Sequence, residues 1–303
     1  MGKSDTKTIP FTKEHVKDKE LVIKLLKYED SFAKSEEGTN VYRAYEGHTL
    51  KPVYAIHRHV LHHFGFSTDP ESVELYRTIF KTYYNGPTDY DKDVINSVFY
   101  MKNNKCVFYL KPVINIGDKI PNANILDLEG NPITLFDVLK KDQQFLETSK
   151  EEKKQEPFKY AFIGGFSSTW PPFLARKKHL FSLHEKLKNN NILFVLIHID
   201  EAHTPSGWPA GLNSDLEPQT NISERLERAN NFAKTESVPY PVYVDTWSND
   251  FGEIFRAWPD KYYCIDSNYK VIAKAEYGSQ GDEDALIVKD CTELIEELIS
   301  EQK

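Results

Sequence analysis

Two apolar runs set the architecture of this chain. Tyr160-Ala161-Phe162-Ile163-Gly164-Gly165 and Ile192-Leu193-Phe194-Val195-Leu196-Ile197-His198-Ile199 are each short enough for one strand. Both are apolar along almost their whole length, the pattern of strands buried on both faces of a parallel sheet. Between them Phe173, Leu180, Leu183 and Leu187 recur at roughly helical spacing, which predicts an amphipathic helix from Phe173 to Asn189. Strand, helix and strand this close together imply a right-handed βαβ unit. In the turn between the first strand and the helix, Thr169 is a candidate N-cap, and Pro171 and Pro172 suit the first helical turn. Such a turn aims backbone N–H groups and the positive end of the helix dipole at whatever sits there. An ionised sulfur or selenium is stabilised at such a point, where cysteine pKa values fall to roughly 3.5–7.5. The second strand delivers Asp200-Glu201-Ala202-His203 at its carboxyl end, where open α/β sheets gather ligands. The turn around Trp170 and the segment bearing Glu201 and His203 are therefore expected side by side.

The rest of the chain divides in two. Residues 1–10 read as a leader without structure. Helices are expected over Glu14 to Phe32, ended by Glu36-Glu37-Gly38-Thr39-Asn40, and over Pro52 to Phe64, stopping at Gly65. Two more are expected, from Asp69-Pro70 to Asn85-Gly86-Pro87 and over roughly Asp91 to Met101. Cys106 to Leu110 reads as a strand that marks the change of domain, giving a mainly helical region over 1–104 and a second domain over 105–303. Ile125 to Leu135 is a hairpin signal around Glu129-Gly130-Asn131-Pro132, and Asp142 to Glu156 a charged loop or helix end. Asn221 with Glu224 three residues on opens a helix to about Thr235; Tyr240 to Asp245 is the next strand. A short helix over Phe251 to Trp258 ends at Pro259. A hairpin pairs Asp260–Ile265 with Lys270–Ala275, Glu276 to Gly281 is a loop, and Asp284 to Ile299 a closing helix.

Composition narrows the class. Forty per cent hydrophobic and 28% charged residues describe a globular protein, and a formal net charge of −8 gives no global attraction to nucleic acid or anionic membrane. The charged first thirty residues hold no run long enough for a signal peptide or transmembrane anchor. Cys106, Cys264 and Cys291 are widely spaced, which fits a reducing, cytoplasmic setting and no disulfide framework. His57, His59, His62 and His63 form the one histidine cluster, with 59, 62 and 63 able to share a helix face. No Cys lies near them, and metal sites need three or four convergent ligands, so no metal is expected.

Phe166-Ser167-Ser168-Thr169-Trp170-Pro171-Pro172-Phe173, followed by Leu174-Ala175-Arg176, resembles the active-site motif of the iodothyronine deiodinases, in which a selenocysteine precedes Pro-Pro-Phe. Trp170 stands at the selenocysteine position and Ser168 at that of a second family cysteine. Asp200-Glu201-Ala202-His203 and Gly207-Trp208 are similar to the family's acidic pair, Ala, His and Gly-Trp, with Asp in place of the first Glu. Gln219 and Thr220 stand where the family has a second His, Tyr240 near a further family cysteine, and Lys261 at a substrate-contacting Arg. Residues 1–104 lie outside the resemblance, as does the family's membrane anchor.

The resemblance implies a thioredoxin-like α/β sandwich from about Ile114 onward, with Pro259 as the cis-proline that faces the site. It implies Trp170, Glu201 and His203 as the catalytic set, with His203 handling a proton and Glu201 orienting it. Ser167, Pro172, Phe173, Trp208 and Lys261 would meet substrate. The activity implied is reductive dehalogenation of an iodinated aromatic, with no bound cofactor, a thiol reductant as co-substrate, and a homodimer as one allowed assembly. Indole has no accessible anion near neutral pH, so this chemistry needs selenocysteine at 170, as a recoded UGA codon would supply. Two alternatives stay open: an inactive relative that binds a ligand or partner, and a redoxin-type peroxidase, which would need a reactive Cys although none lies between 107 and 263.

Overall fold

A computed structural model describes residues 8–45, 51–84, 92–98, 114–145, 158–187, 190–206, 216–274, 276–277, 287–289 and 300. The chain forms two compact units. One comprises Met1–Lys111, His203–Glu217 and Gly278–Leu286; the other comprises Pro112–Ala202, Pro218–Tyr277 and Ile287–Lys303, against an expected boundary at 104/105.

In the first unit the described residues form helices α1 (Lys13–Lys17), α2 (Lys19–Ala33), α3 (Glu36–Ala44), α4 (Lys51–His63), α5 (Pro70–Tyr84) and α6 (Lys92–Ile95). The single helix expected over Glu14 to Phe32 is broken at Asp18, whose carboxylate accepts from Leu21 N and caps α2. The inward stripe of α2 is Val22, Leu25, Leu26, Glu29 and Phe32, at the i, i+3, i+4 spacing of one face. Residues 36–40 begin a helix instead of ending one. Ser35 Oγ accepts from Gly38 N, and a Cβ on Gly38 would sit 2.0 Å from the Phe32 carbonyl oxygen, an approach only glycine allows. Of the four histidines, His57 is buried with Nε2 3.4 Å from Glu29 Oε1, and Glu29 also accepts from Tyr76 Oη. His59 and His63 stack on the rings of Phe32 and Tyr28. Among the described residues no group of three His, Cys, Asp or Glu could hold a metal ion, and no helix is long and apolar enough to cross a membrane.

The second unit carries a seven-stranded sheet. Its strands are β1 (Asn124–Leu126), β2 (Pro132–Thr134), β3 (Tyr160–Phe166), β4 (Ile192–His198), β5 (Val242–Asp245), β6 (Asp260–Asp266) and β7 (Val271–Lys274), in spatial order β2-β1-β5-β4-β3-β6-β7. β3, β4 and β5 are parallel; β6 pairs antiparallel with β3, with Phe166 opposite Asp260, and β7 antiparallel with β6. The helices are α7 (Leu135–Phe145), α8 (Pro171–Leu187), α9 (Ile222–Thr235) and α10 (Asp250–Phe255). The four apolar residues expected to face inward on α8 are all buried. This is a thioredoxin-like arrangement, and the Trp258–Pro259 bond before β6 is cis.

Helices cover the sheet on both faces, which is why β4 is buried at every residue. Phe166 meets Phe173 of α8 and Phe232 of α9 at centroid distances of 4.5 and 5.0 Å. Gly165 faces the other side, where Tyr263 packs on Phe255 of α10. A Cβ at Gly165 would lie 2.8 Å from both Ala257 Cβ and Phe251 Cε1, so the glycine lets α10 close on the sheet.

Three expectations at the edges meet the structure differently. The strand over Cys106 to Leu110 lies outside the described residues. Residues 287–289, expected to open a helix, form strand β9 (Ile287–Lys289) against β8 (Glu276–Tyr277), in the segment expected to be a loop. Residues 290–299 lie outside the described residues.

Gly165→Ala forces overpacking between the Phe251 ring and the Ala257 methyl group, and a loss of about 1–3 kcal/mol is expected. Urea unfolding checks this: the midpoint should fall with an unchanged slope.

Candidate functional site

The turn between β3 and α8 is tied to the loop after β4 by one side chain. Glu201 is fully buried and accepts from Ser167 Oγ (2.8 Å), Ser168 Oγ (2.5 Å), Thr169 N (3.0 Å) and Thr169 Oγ1 (2.9 Å). His198, the last residue of β4, stands 3.0 Å away through Nε2. An ionised carboxylate only accepts, so Nε2 of His198 carries a proton. Ser167 Oγ accepts in turn from Ala202 N at 2.9 Å, closing the network onto the backbone beyond Glu201. Burial pushes the Glu201 carboxyl up, but hydrogen bonds from His198, Ser168 and Ser167, with the His198 charge, outweigh it and bring the pKa down to about 2. Thr169, the candidate cap of α8, gives its hydroxyl proton to Glu201.

Residue 170 follows this cage. Trp170 is 1% exposed and its Nε1–H donates to Asp260 Oδ1 at 3.0 Å. Asp260 opens β6 directly after Pro259, is itself fully buried, and pairs through Oδ2 with Arg176 Nη2 at 2.9 Å. Arg176 stands one turn into α8, its guanidinium 5.4 Å from the centre of the Tyr262 ring. Ser167 N donates to Pro259 O at 3.1 Å, joining the turn to the cis-proline loop. Carboxylates thus stand on two sides of the turn, one taking its hydroxyls and one its indole.

A second polar knot flanks the β4 end. Arg225, buried on α9, pairs with Asp200 and donates to the Thr246 carbonyl at 2.6 Å. Asp245, at the end of β5, accepts from Phe251 N and Gly252 N, both at 2.8 Å, at the start of α10. Burial raises the Asp245 carboxyl to about 6 in spite of those N–H groups.

The structure brings Trp170, Ser167 and Glu201 together as expected. Glu201 is held by the turn and by His198. His203 is buried and opens the segment that belongs to the helical unit. Phe173 is enclosed in the core between Phe166 and Phe232, not at a substrate surface. Pro172 is the second residue of α8, Lys261 is buried beside Asp260 on β6, and Trp208 lies outside the described residues. Cys264 is buried in β6 with its thiol pushed up to about 12 by burial and Asp266, which disarms it as a peroxidatic residue. His198 and Asp260 belong to the site although no motif marks them. A histidine inside an otherwise apolar strand and an acid beginning a buried one were the available signals.

The sequence model of the iodothyronine deiodinase family matches residues 94–285, well over half of the chain. Among relatives, type I iodothyronine deiodinase of Xenopus laevis is 28% identical over 166 residues, covering 55% of this chain and 58% of that protein. Thyroxine 5-deiodinase of Gallus gallus is 22% identical over 191 residues, covering 61% and 67%. The chain therefore spans under two thirds of the length of the frog relative. Among solved structures, an uncharacterized conserved protein from Geobacillus kaustophilus aligns with a TM-score of 0.40 at 14% identity, over 61% of this chain and 79% of that one.

A folded-state pKa of about 2 against an ordinary 4.5 means that Glu201 contributes stability above pH 4.5 and loses it as pH falls towards 2. A shift of that size corresponds to about 3 kcal/mol. Glu201→Gln should lose about that much at pH 7, with the gap to the unchanged chain closing as pH approaches 2 in urea unfolding. A gap constant with pH would contradict an ionised Glu201.

Proposed function

Because this chain belongs to the iodothyronine deiodinase family, we propose that it is a deiodinase-like oxidoreductase whose reactive atom is selenium or sulfur carried at position 170. The observation that supports this reading best is the Glu201 cage, which fixes the turn immediately before residue 170 at the N-terminus of α8. The reaction is a two-electron reduction of an iodinated aromatic. The selenolate attacks iodine, the Se–I bond forms as the C–I bond breaks, and the ring carbon takes a proton. Two thiols of a reductant then become a disulfide, releasing iodide and restoring the selenol. In this proposal His203 supplies the proton, Lys261 and Ser167 flank the substrate with Pro172 and Trp208, and Glu201 holds the turn. We place the reaction in the cytosol on the strength of the three widely spaced cysteines; the homodimer remains part of the proposal.

A second reading is favoured by one specific contact. The indole N–H of Trp170 has a dedicated buried acceptor in Asp260, as a residue kept for packing would. In that reading the tryptophan form is an inactive, ligand-binding member of the family.

Iodide release from an iodinated phenol with excess dithiol separates the two. The tryptophan form should release none above a boiled control, since neither indole nor the Ser168 hydroxyl supplies a soft anion. Trp170→Cys should turn over slowly, and selenocysteine at the same position faster. Release by the tryptophan form would move the chemistry elsewhere in the chain. Silence from both the cysteine and selenocysteine forms would favour the binding protein.

A further inference from the structure

Asp245 ends β5 at the carboxyl edge of the parallel strands and is fully buried. Its carboxylate is met by backbone donors alone: Phe251 N on Oδ1 and Gly252 N on Oδ2, both at 2.8 Å, with Thr246 adding a third. A Cβ at Gly252 would lie 3.0 Å from Oδ2, so the glycine keeps this approach open. Asn249, at the N-cap of α10, makes no side-chain cap bond, and the strand caps the helix in its place. Among the described residues no cation bonds the Asp245 carboxylate. The guanidinium that faces it, Arg225 of α9, is taken by Asp200 at the end of β4 and by the carbonyls of Asp245 and Thr246. The first turn of α10 brings only acids, Asp250 and Glu253. Asp250 is bonded to Asn124 of β1 and to Ser248, and Glu253 pairs with Arg256. A buried carboxylate with neutral donors and no bonded cation is costly as an anion. Burial accordingly outweighs the N–H groups and lifts it from an ordinary 3.8 to about 6.

What Asp245 fastens is the wall beside residue 170. α10 and Ala257 close on Gly165 of β3. The chain then runs through Trp258 to the cis Pro259, whose carbonyl accepts from Ser167 N at 3.1 Å. We propose that Asp245 is a proton-operated latch on this wall: protonated, it keeps α10 and the cis-proline segment closed on the turn, and on ionising it lets them open to water. A carboxyl whose folded value lies above its ordinary one favours the closed state below pH 3.8, and that contribution is lost as pH rises through about 6. An opening that wets Asp245 therefore becomes more frequent towards neutral pH, by up to about a hundredfold for a shift of this size. α10 is the element suited to move, since six residues hold little helical stability of their own. The latch works with tryptophan at 170 and does not depend on the deiodinase reading.

Amide hydrogen exchange of the full chain, followed by NMR from pH 5 to 8, tests this. After correction for intrinsic rates, protection of Phe251, Gly252 and Ser167 should fall about tenfold over that range. In Asp245→Asn, which keeps an acceptor and cannot ionise, protection should not change with pH. All three amides should also exchange faster than that of Val195, at the centre of β4, which is freed only when the sheet unfolds. Protection independent of pH in the unchanged chain, or an equal fall in Asp245→Asn, would overturn the role of the proton. Ser167 unmoved while Phe251 and Gly252 respond, or all three as slow as Val195, would overturn the latch on the wall. If Asp245→Asn does not fold, the carbon-13 carboxyl resonance of Asp245 in the unchanged chain takes its place. It should titrate near 6, and a midpoint near 3.8 would overturn the latch.

Discussion

A buried carboxylate with five donors around it governs this structure. Taking Glu201 out of water costs several kcal/mol unless the charge is matched by hydrogen bonds. The donors are Ser167, Ser168, both groups of Thr169, and His198. Four of them come from one three-residue turn, so the anion cannot stay satisfied unless the turn keeps its shape. The fifth comes from the end of β4, which fixes the turn to the neighbouring parallel strand. The sheet thereby determines where residue 170 stands, and the glycines of β3 let Tyr262 and α10 pack closely enough to bury the whole arrangement.

Residue 170 is the point where framework and chemistry part. The framework around it is that of the deiodinase family, while the residue itself is an indole bound to Asp260. The Asp260–Arg176 pair would outlast a change at 170, because its two members sit on α8 and β6 rather than on the turn. Breaking such a buried pair by removing one member generally costs about 3–5 kcal/mol. The pair therefore supports the wall beside residue 170 whether that position carries an indole, a thiol or a selenol.

The strands and helix around the site were legible because their signals are local. The two continuous apolar runs became β3 and β4, and Phe173, Leu180, Leu183 and Leu187 became the buried face of α8. The juxtaposition of turn and Glu201 followed from parallel-sheet geometry alone. What escaped depended on distant partners. Asp260 acquires its role from a residue ninety positions earlier, and nothing local shows that Glu201 takes the Thr169 hydroxyl. Helix α3 was mistaken for a break because Gly38 suggests one, whereas its missing side chain admits the Phe32 carbonyl. At 287–289 an apolar spacing compatible with a helix gave way to pairing with β8.

The structure around residue 170 depends on Glu201 being ionised near neutral pH. Carbon-13 NMR of the glutamate carboxyl groups, with Glu201 assigned by its loss in Glu201→Gln, reads that charge directly. The account requires the Glu201 resonance to titrate near 2, well below the ordinary 4.5. A resonance that titrates at or above 4.5 would mean that burial wins over the hydrogen bonds, and that the turn is not held by an anion.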